Sequence, residues 1–276
     1  SFKGGRGIIR VRLFFFFVFP PMRPVKPILR FQHDRPKGAR KAMDQPKTPL
    51  LLAMRIPFYP IRCAYDPRPL LLMDDPALIE GYFAALRREA QANDEDVSDM
   101  EVQAMRISGG IAGHVDDEAL GSLLRDMHAL YAFSPGAEIT LKVHPGMISA
   151  DTMSLCRRGG VTRLSVDYAT SDPFESEAIG RFLPPSVMET SRMVIASFPV
   201  SLSFDILVGL PGQSETSLVR TLQTVMGYGA AEVVLYPFRL IPGTPFSEKT
   251  APALEKSTSP RKHLPNPEEQ QTLHAC

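Results

Sequence analysis

The sequence predicts an α/β fold, a parallel sheet of six strands with helices packed outside it. Three observations carry this expectation. Apolar or alternating runs of strand length recur six times between positions 50 and 236. Amphipathic stretches at helical spacing stand between them. Gly and Pro clusters follow the C-terminal ends of the strands, where folds of this class place their sites. Six βα units over about 200 residues suit either a doubly wound sheet or an incomplete barrel.

The elements follow in order. Leu50–Ile56 is an apolar run of strand length. Asp75-Pro76 opens a helix through Ala92, with the Asp suited to cap it and the Pro at its first position. Ala104–Ser108 reads as the second strand, and Asp116 to Leu130 as a helix with Leu120, Leu123, Leu124 and Met127 on one stripe. Glu138–Val143 alternates as a strand. Ser149 suits the cap of a short helix that Gly159-Gly160 stops. Val161–Tyr168 is a strand, Ser186–Ala196 a helix and Val200–Val208 a strand. Ser214 to Met226 is a helix with Leu218, Leu222 and Val225 in phase, and Glu232–Tyr236 is the sixth strand. Met127, Met188 and Met193 read as core filling.

Composition narrows the function classes. With 44% apolar and 22% charged residues, the 276-residue chain can build a sizeable core. Its densest apolar run, Leu13–Phe19, falls far short of the ~20 residues that a membrane-spanning helix needs. Three cysteines (Cys63, Cys156 and Cys276) make no disulfide scaffold, so a reducing, cytoplasmic setting is expected. The net charge of +1 conceals an asymmetry. Of the 31 Lys and Arg, eleven lie within 1–42 beside a single acid, Asp34; the remainder holds 20 cations against 29 acids. Such a leader reads as a transit peptide, which would make the location organellar. It also reads as an arm for nucleic acid or anionic membrane, or as a stretch outside the native protein with Met43 as the start. The last is the reading carried forward, and nucleic acid is not an expected partner. The expected division is a basic, Pro-rich and unstructured leader over 1–45, the βα unit over 46–248, and the start of a truncated C-terminal region over 249–276.

Five segments could carry chemistry. The loop after the first strand is Ile56-Pro-Phe-Tyr-Pro-Ile-Arg-Cys-Ala-Tyr-Asp66, and Ser108-Gly-Gly-Ile-Ala-Gly113 follows the second. The third strand ends Glu138-Ile-Thr-Leu-Lys-Val-His-Pro-Gly146. The fifth gives Asp205-Ile-Leu-Val-Gly-Leu-Pro-Gly-Gln213 and the sixth Leu235-Tyr-Pro-Phe-Arg-Leu-Ile-Pro-Gly-Thr-Pro245. Glycines there suit close approach to a ligand, and equally the tight turns of any such fold. His144, alone at a strand end, reads as hydrogen-bonded structure rather than a ligand to metal. No Walker loop, GxSxG elbow or zinc-type Cys/His spacing is present.

Together, over roughly 48–273, these segments resemble the oxygen-independent coproporphyrinogen III oxidase and heme chaperone family of radical S-adenosylmethionine proteins. The resemblance implies an incomplete (β/α)6 barrel of the radical-SAM type. It also implies two cofactors, a 4Fe–4S cluster and S-adenosylmethionine, whose reductive cleavage yields a deoxyadenosyl radical. A porphyrinogen or other tetrapyrrole is the implied partner. The family's first loop holds three cluster cysteines, spaced three residues and then two; the matching positions here are Tyr59, Cys63 and Asp66. One thiolate in place of three does not predict an ordinary cluster, because the ferric ions need soft anionic sulfur at each ligand position. Cys63 by itself reads as a buried thiol.

The S-adenosylmethionine positions are mixed in the same way. Tyr65, Gly109, Gly110, Arg181 and Asp205 match the family and are the cofactor-binding candidates. Ala53 stands for a Tyr, and Ala169 for a Gln on the fourth strand. Lys142 stands where the family has a Glu, a charge reversal beside a cationic sulfonium. Arg181 and Asp205 also suit a plain structural ion pair. The heme-chaperone branch carries a histidine/tryptophan motif for heme, and this chain has no Trp. Two activities are therefore expected in competition. One is a porphyrinogen oxidoreductase of the family kind, with an impaired or lost cluster. The other is a non-catalytic descendant that binds a small molecule, a tetrapyrrole or a protein.

Overall fold

A two-residue alternation sets the faces of the sheet. In β3 (Thr48–Ile56) the side chains of Leu50, Leu52, Met54 and Ile56 are buried, each with a half-buried or exposed residue between. Val102, Met105 and Ile107 of β6 (Met100–Gly109), Ile139, Leu141 and Val143 of β7 (Phe133–Val143), Leu164 and Val166 of β8 (Arg163–Ala169) and Leu202, Phe204, Ile206 and Val208 of β9 (Ser201–Val208) are buried on the corresponding face, and β10 (Glu232–Pro237) is buried at every position but its last. A computed structural model of the chain describes residues 10–13, 30–32, 47–59, 64–65, 71–72, 75–92, 100–109, 117–181 and 183–248. In it the six strands lie side by side in chain order, all parallel, as a curled half-barrel.

The apolar parity packs against helices. Leu141, Leu164, Phe204 and Val233 share one core with Phe83 and Leu86 of α1 (Pro76–Ala92) and with Leu123 and Met127 of α2 (Asp117–Leu130). Met153 of α3 (Ala150–Arg158), Met188 of α5 (Pro185–Ile195) and Leu218 of α6 (Glu215–Gly227) complete it. Each fully buried side chain of this size contributes about 1.5–3 kcal/mol. The other parity, Thr140, Lys142, Ser165, Asp167, Ser203, Asp205 and Tyr236, is polar and faces the hollow of the curl. A flat parallel sheet covered on both faces would be apolar on both. The polar parity is therefore the signature of a lined lumen.

Helix ends follow the sequence reading closely. Ser149 caps α3 by accepting from the amide of Thr152, and Gly159 ends it. Ser214 caps α6 in a reciprocal box with Ser217. Gly109, at φ +101°, ends β6 where an added Cβ would press on the Ile56 carbonyl oxygen. That alone requires glycine there. Met127 and Met188 are core residues as expected, but Met193 is 57% exposed and fills nothing.

Some elements were not foreseen. β4 (Phe58–Tyr59) pairs with β5 (Leu71–Leu72) in a small parallel sheet. α4 (Pro173–Ala178) follows β8. Within the segment read as an unstructured leader, β1 (Arg10–Leu13) lies parallel beside β10, and β2 (Arg30–Gln32) lies antiparallel beside β3. No helix among the described residues is long and apolar enough to cross a membrane.

Candidate functional site

A ladder of alternating charge crosses the upper lumen. β7 carries Lys142 one residue before its end, and β9 carries Asp205 in register with Asp167 of β8. The Lys142 ammonium sits 2.7 Å from Asp205 Oδ2 and 3.8 Å from Asp167 Oδ1, and lies 5.7 Å from the centre of the Tyr236 ring. Ser165 Oγ donates to the Asp205 carboxylate at 3.2 Å. On the far side, Arg181 Nη1 donates to Asp167 Oδ1 at 3.0 Å and to the Tyr65 hydroxyl at 3.1 Å. Its Nη2 donates to the Asp167 carbonyl oxygen at 3.1 Å. The Asp205 side chain is 2% exposed and that of Lys142 20%.

These contacts shift the acidities. Burial alone would raise Asp167, but the Arg181 and Lys142 cations and the Arg181 hydrogen bond override it and hold the carboxyl far below the usual carboxylate range. Burial alone would lower Lys142; Asp167 and Asp205 outweigh it and hold the ammonium above the ordinary lysine value. Tyr236 is raised, first by burial and then by Asp205, with Lys142 and Arg106 opposing. The signs set a pH window. The Asp167 contribution is complete above about pH 4 and is lost in acid; the Lys142 contribution is complete below about pH 10 and is lost in base. Urea midpoints are therefore expected to fall between pH 6 and pH 3, and to fall less in Lys142→Met, where one of the two cations opposing protonation of Asp167 is gone. Equal acid sensitivity of the two proteins would contradict this.

The loops around the ladder are tied down by a second polar cluster. Glu175 of α4 is 3% exposed and accepts from Thr170 Oγ1 at 2.6 Å, from Gln213 Nε2 at 3.2 Å and from Ser217 Oγ. Gln213 Oε1 in turn accepts from the amides of Gly209 and Leu210 at 2.7 and 3.3 Å. Ser176, also on α4, donates to the Arg181 carbonyl oxygen at 2.5 Å. α4 thus links the loop after β9 to the backbone that presents Arg181. The first loop is anchored at residues 64–65: the Phe246 amide donates to the Ala64 carbonyl oxygen at 2.8 Å, and Tyr65 packs edgewise on Phe238.

Of the candidates named from sequence, Tyr65 and Arg181 meet directly, and Asp205 lies beyond them across the Lys142–Asp167 link. Arg181 and Asp205 are not a pair. Arg181 takes Asp167 and Asp205 takes Lys142. Gly109 has the packing reason already given. Gly110, Cys63 and Asp66 lie outside the described residues, and of Tyr59 only the backbone, in β4, is described. His144 Nδ1 accepts from the Gly146 amide. Asp167, Ser165, Tyr236, Glu175 and Gln213 were missed. For the first two the signal was parity, since Leu164 and Val166 point to the core and so send Ser165 and Asp167 to the lumen.

The lumen does not suit a sulfonium ligand. Asp205, the acid that the resemblance assigns to S-adenosylmethionine, is taken at 2.7 Å by the chain's own Lys142 ammonium, at a position where the resemblance implies a carboxylate. Among the described residues no group of three His, Cys, Asp or Glu is placed to hold a metal ion.

Comparison with known proteins gives the lineage. No protein-family model matches the chain. It is 25% identical over 209 residues to the oxygen-independent coproporphyrinogen III oxidase of Bradyrhizobium diazoefficiens, covering 74% of this chain and 44% of that protein. It is 27% identical to the heme chaperone HemW of Bacillus subtilis, covering 79% and 56%. The HemW of Escherichia coli is 23% identical, with 73% and 53% covered. The chain therefore spans about half the length of these relatives. Among solved structures, Escherichia coli coproporphyrinogen III oxidase (HemN), titled a radical SAM enzyme, superposes with a TM-score of 0.70 at 19% identity, over 83% of this chain and 51% of that one. The chain is related, by sequence and by a shared half-barrel, to the oxygen-independent coproporphyrinogen III oxidase and heme chaperone family of radical S-adenosylmethionine proteins.

Proposed function

We propose that this protein is a barrel of the porphyrin and heme branch that keeps the family scaffold and has lost the iron–sulfur redox chemistry. Its lumen then serves as a binding site, with a tetrapyrrole as the ligand class and the cytoplasm as the location. The observation that carries the reading is the Lys142–Asp205 contact at 2.7 Å, a cation of the chain itself at the position of a family acid. The sequence supports it independently, since Tyr59 and Asp66 replace two of three cluster thiolates and leave Cys63 alone. In the family the cluster and S-adenosylmethionine supply a radical initiator. On this reading Arg181, Tyr65 and Gly109 persist because they hold the mouth of the barrel in shape.

The competing reading is an active oxidoreductase, and the retained Tyr65–Arg181 contact favours it. Incubation of the anaerobically reconstituted, folded chain with S-adenosylmethionine and a strong one-electron reductant separates the two. No 5′-deoxyadenosine above the protein-free background is expected. Accumulation over several turnovers would overturn the proposal.

A further inference from the structure

We propose that residues 10–13 and 30–32 are edge guards: they occupy the two outer edges of the six-stranded sheet, edges that otherwise accept a strand from a second copy of this chain. The inference is independent of the lumen and its ligand. It gives a structural task to a segment whose composition reads as lying outside the native protein.

The topology carries it. A curled sheet that does not close on itself has two edges, and those of the six parallel strands are β10 and β3. β1 lies parallel on the first, with Arg10 in register with Glu232, Val11 with Val233, Arg12 with Val234 and Leu13 with Leu235. β2 lies antiparallel on the second, with Arg30 in register with Ala53, Phe31 with Leu52 and Gln32 with Leu51. Both end strands of the resulting eight-stranded sheet thus come from the first 32 residues of the chain.

The composition of the covered edges explains why they need a guard. Val233, Val234 and Leu235 are apolar and buried, and Leu51, Leu52 and Ala53 are apolar as well. A bare edge of that kind presents unpaired N–H and C=O groups along a hydrophobic row, a template on which another chain can pair. The covering strands have the opposite character. They are four and three residues long and carry Arg10, Arg12 and Arg30. The new outer edges are therefore short and cationic, and both features oppose addition of a further strand. Part of the basic bias of the leader is accounted for in this way without a nucleic acid or a membrane.

Proline substitutions in the full chain, read by hydrogen exchange and sedimentation velocity, test it. Successive N–H groups of a strand point to opposite sides, so two adjacent prolines remove the donor that faces the neighbouring strand, whichever of the two it is. Val11→Pro/Arg12→Pro is expected to speed exchange at least about tenfold at the Val233–Leu235 amides turned away from β9. Phe31→Pro/Gln32→Pro is expected to do the same at the Leu51–Ala53 amides turned away from β6. Leu164–Val166 of β8, inside the sheet, is expected to exchange as in wild type, which reports an intact fold. Each proline variant is also expected to self-associate more than wild type as concentration rises. Val11→Thr/Arg12→Lys keeps the donors and the charge, and is expected to match wild type in both measurements. Unchanged exchange at either edge, faster exchange without added self-association, a rise that extends equally to β8, or the same changes in the conservative variant would each overturn the inference.

Discussion

Lys142→Ala is expected to destabilise the fold by about 3 kcal/mol, and Asp205→Ala by about 2 kcal/mol. The asymmetry follows from what each truncation leaves behind. Without Lys142, the 2%-exposed Asp205 carboxylate keeps only the Ser165 hydroxyl among its contacts in the ladder. Without Asp205, the Lys142 ammonium keeps Asp167 at 3.8 Å and some access to water. Breaking a buried pair costs more than the pair contributes, because a lone charge remains in the interior. Replacing both partners with apolar groups of similar size, as in Lys142→Met/Asp205→Leu, is therefore expected within about 1 kcal/mol of wild type. Urea titrations at pH 7 read all three. Additive losses in the double variant would mean that the two side chains do not act as a pair.

Glu175→Ala carries the other large effect, also about 3 kcal/mol. It removes one buried acceptor from three donors, Thr170, Gln213 and Ser217, and leaves a hole between α4 and α6. Glu175→Gln is expected to cost less than about 1.5 kcal/mol. Its amide oxygen can replace the carboxylate oxygen that Thr170 and Gln213 use, and its NH2 can donate to the Ser217 hydroxyl. The effect also has a local signature. Gln213 Oε1 holds the Gly209 and Leu210 amides, so hydrogen exchange at those two sites is expected to accelerate in Glu175→Ala and not in Glu175→Gln. Unchanged protection in the alanine variant would show that the loop after β9 does not depend on α4.

Much of the scaffold was legible because it is repetitive. Leu50, Leu52, Met54 and Ile56 announce one face of a strand, and Leu120, Leu123, Leu124 and Met127 one face of a helix. Those periods survive any tertiary detail. The elements missed lack a period. α4 has six residues, too few for a stripe, and its Pro-Phe-Glu-Ser-Glu text reads as solvated loop, although Glu175 is buried. β1 and β2 are short edge pieces whose partners, β10 and β3, lie elsewhere in the chain, so nothing local specifies them. The site was half legible. Lys142 was conspicuous as a reversed charge at a motif position, but its partners could be read only once register set Asp167 opposite Asp205. The alternative of a plain Arg181–Asp205 ion pair fails for the same reason: Asp167 takes the guanidinium and Lys142 takes Asp205.

On the proposed reading, one thiolate at the three cluster positions Tyr59, Cys63 and Asp66 cannot hold a 4Fe–4S cluster. Iron and acid-labile sulfide per chain, measured after anaerobic reconstitution and gel filtration, test it most directly when the wild type is set beside Tyr59→Cys/Asp66→Cys. The wild type is expected to leave the column colourless, with iron and sulfide far below one cluster per chain, and the restored variant to keep both. Equal and near-stoichiometric iron and sulfide in the two proteins would contradict it.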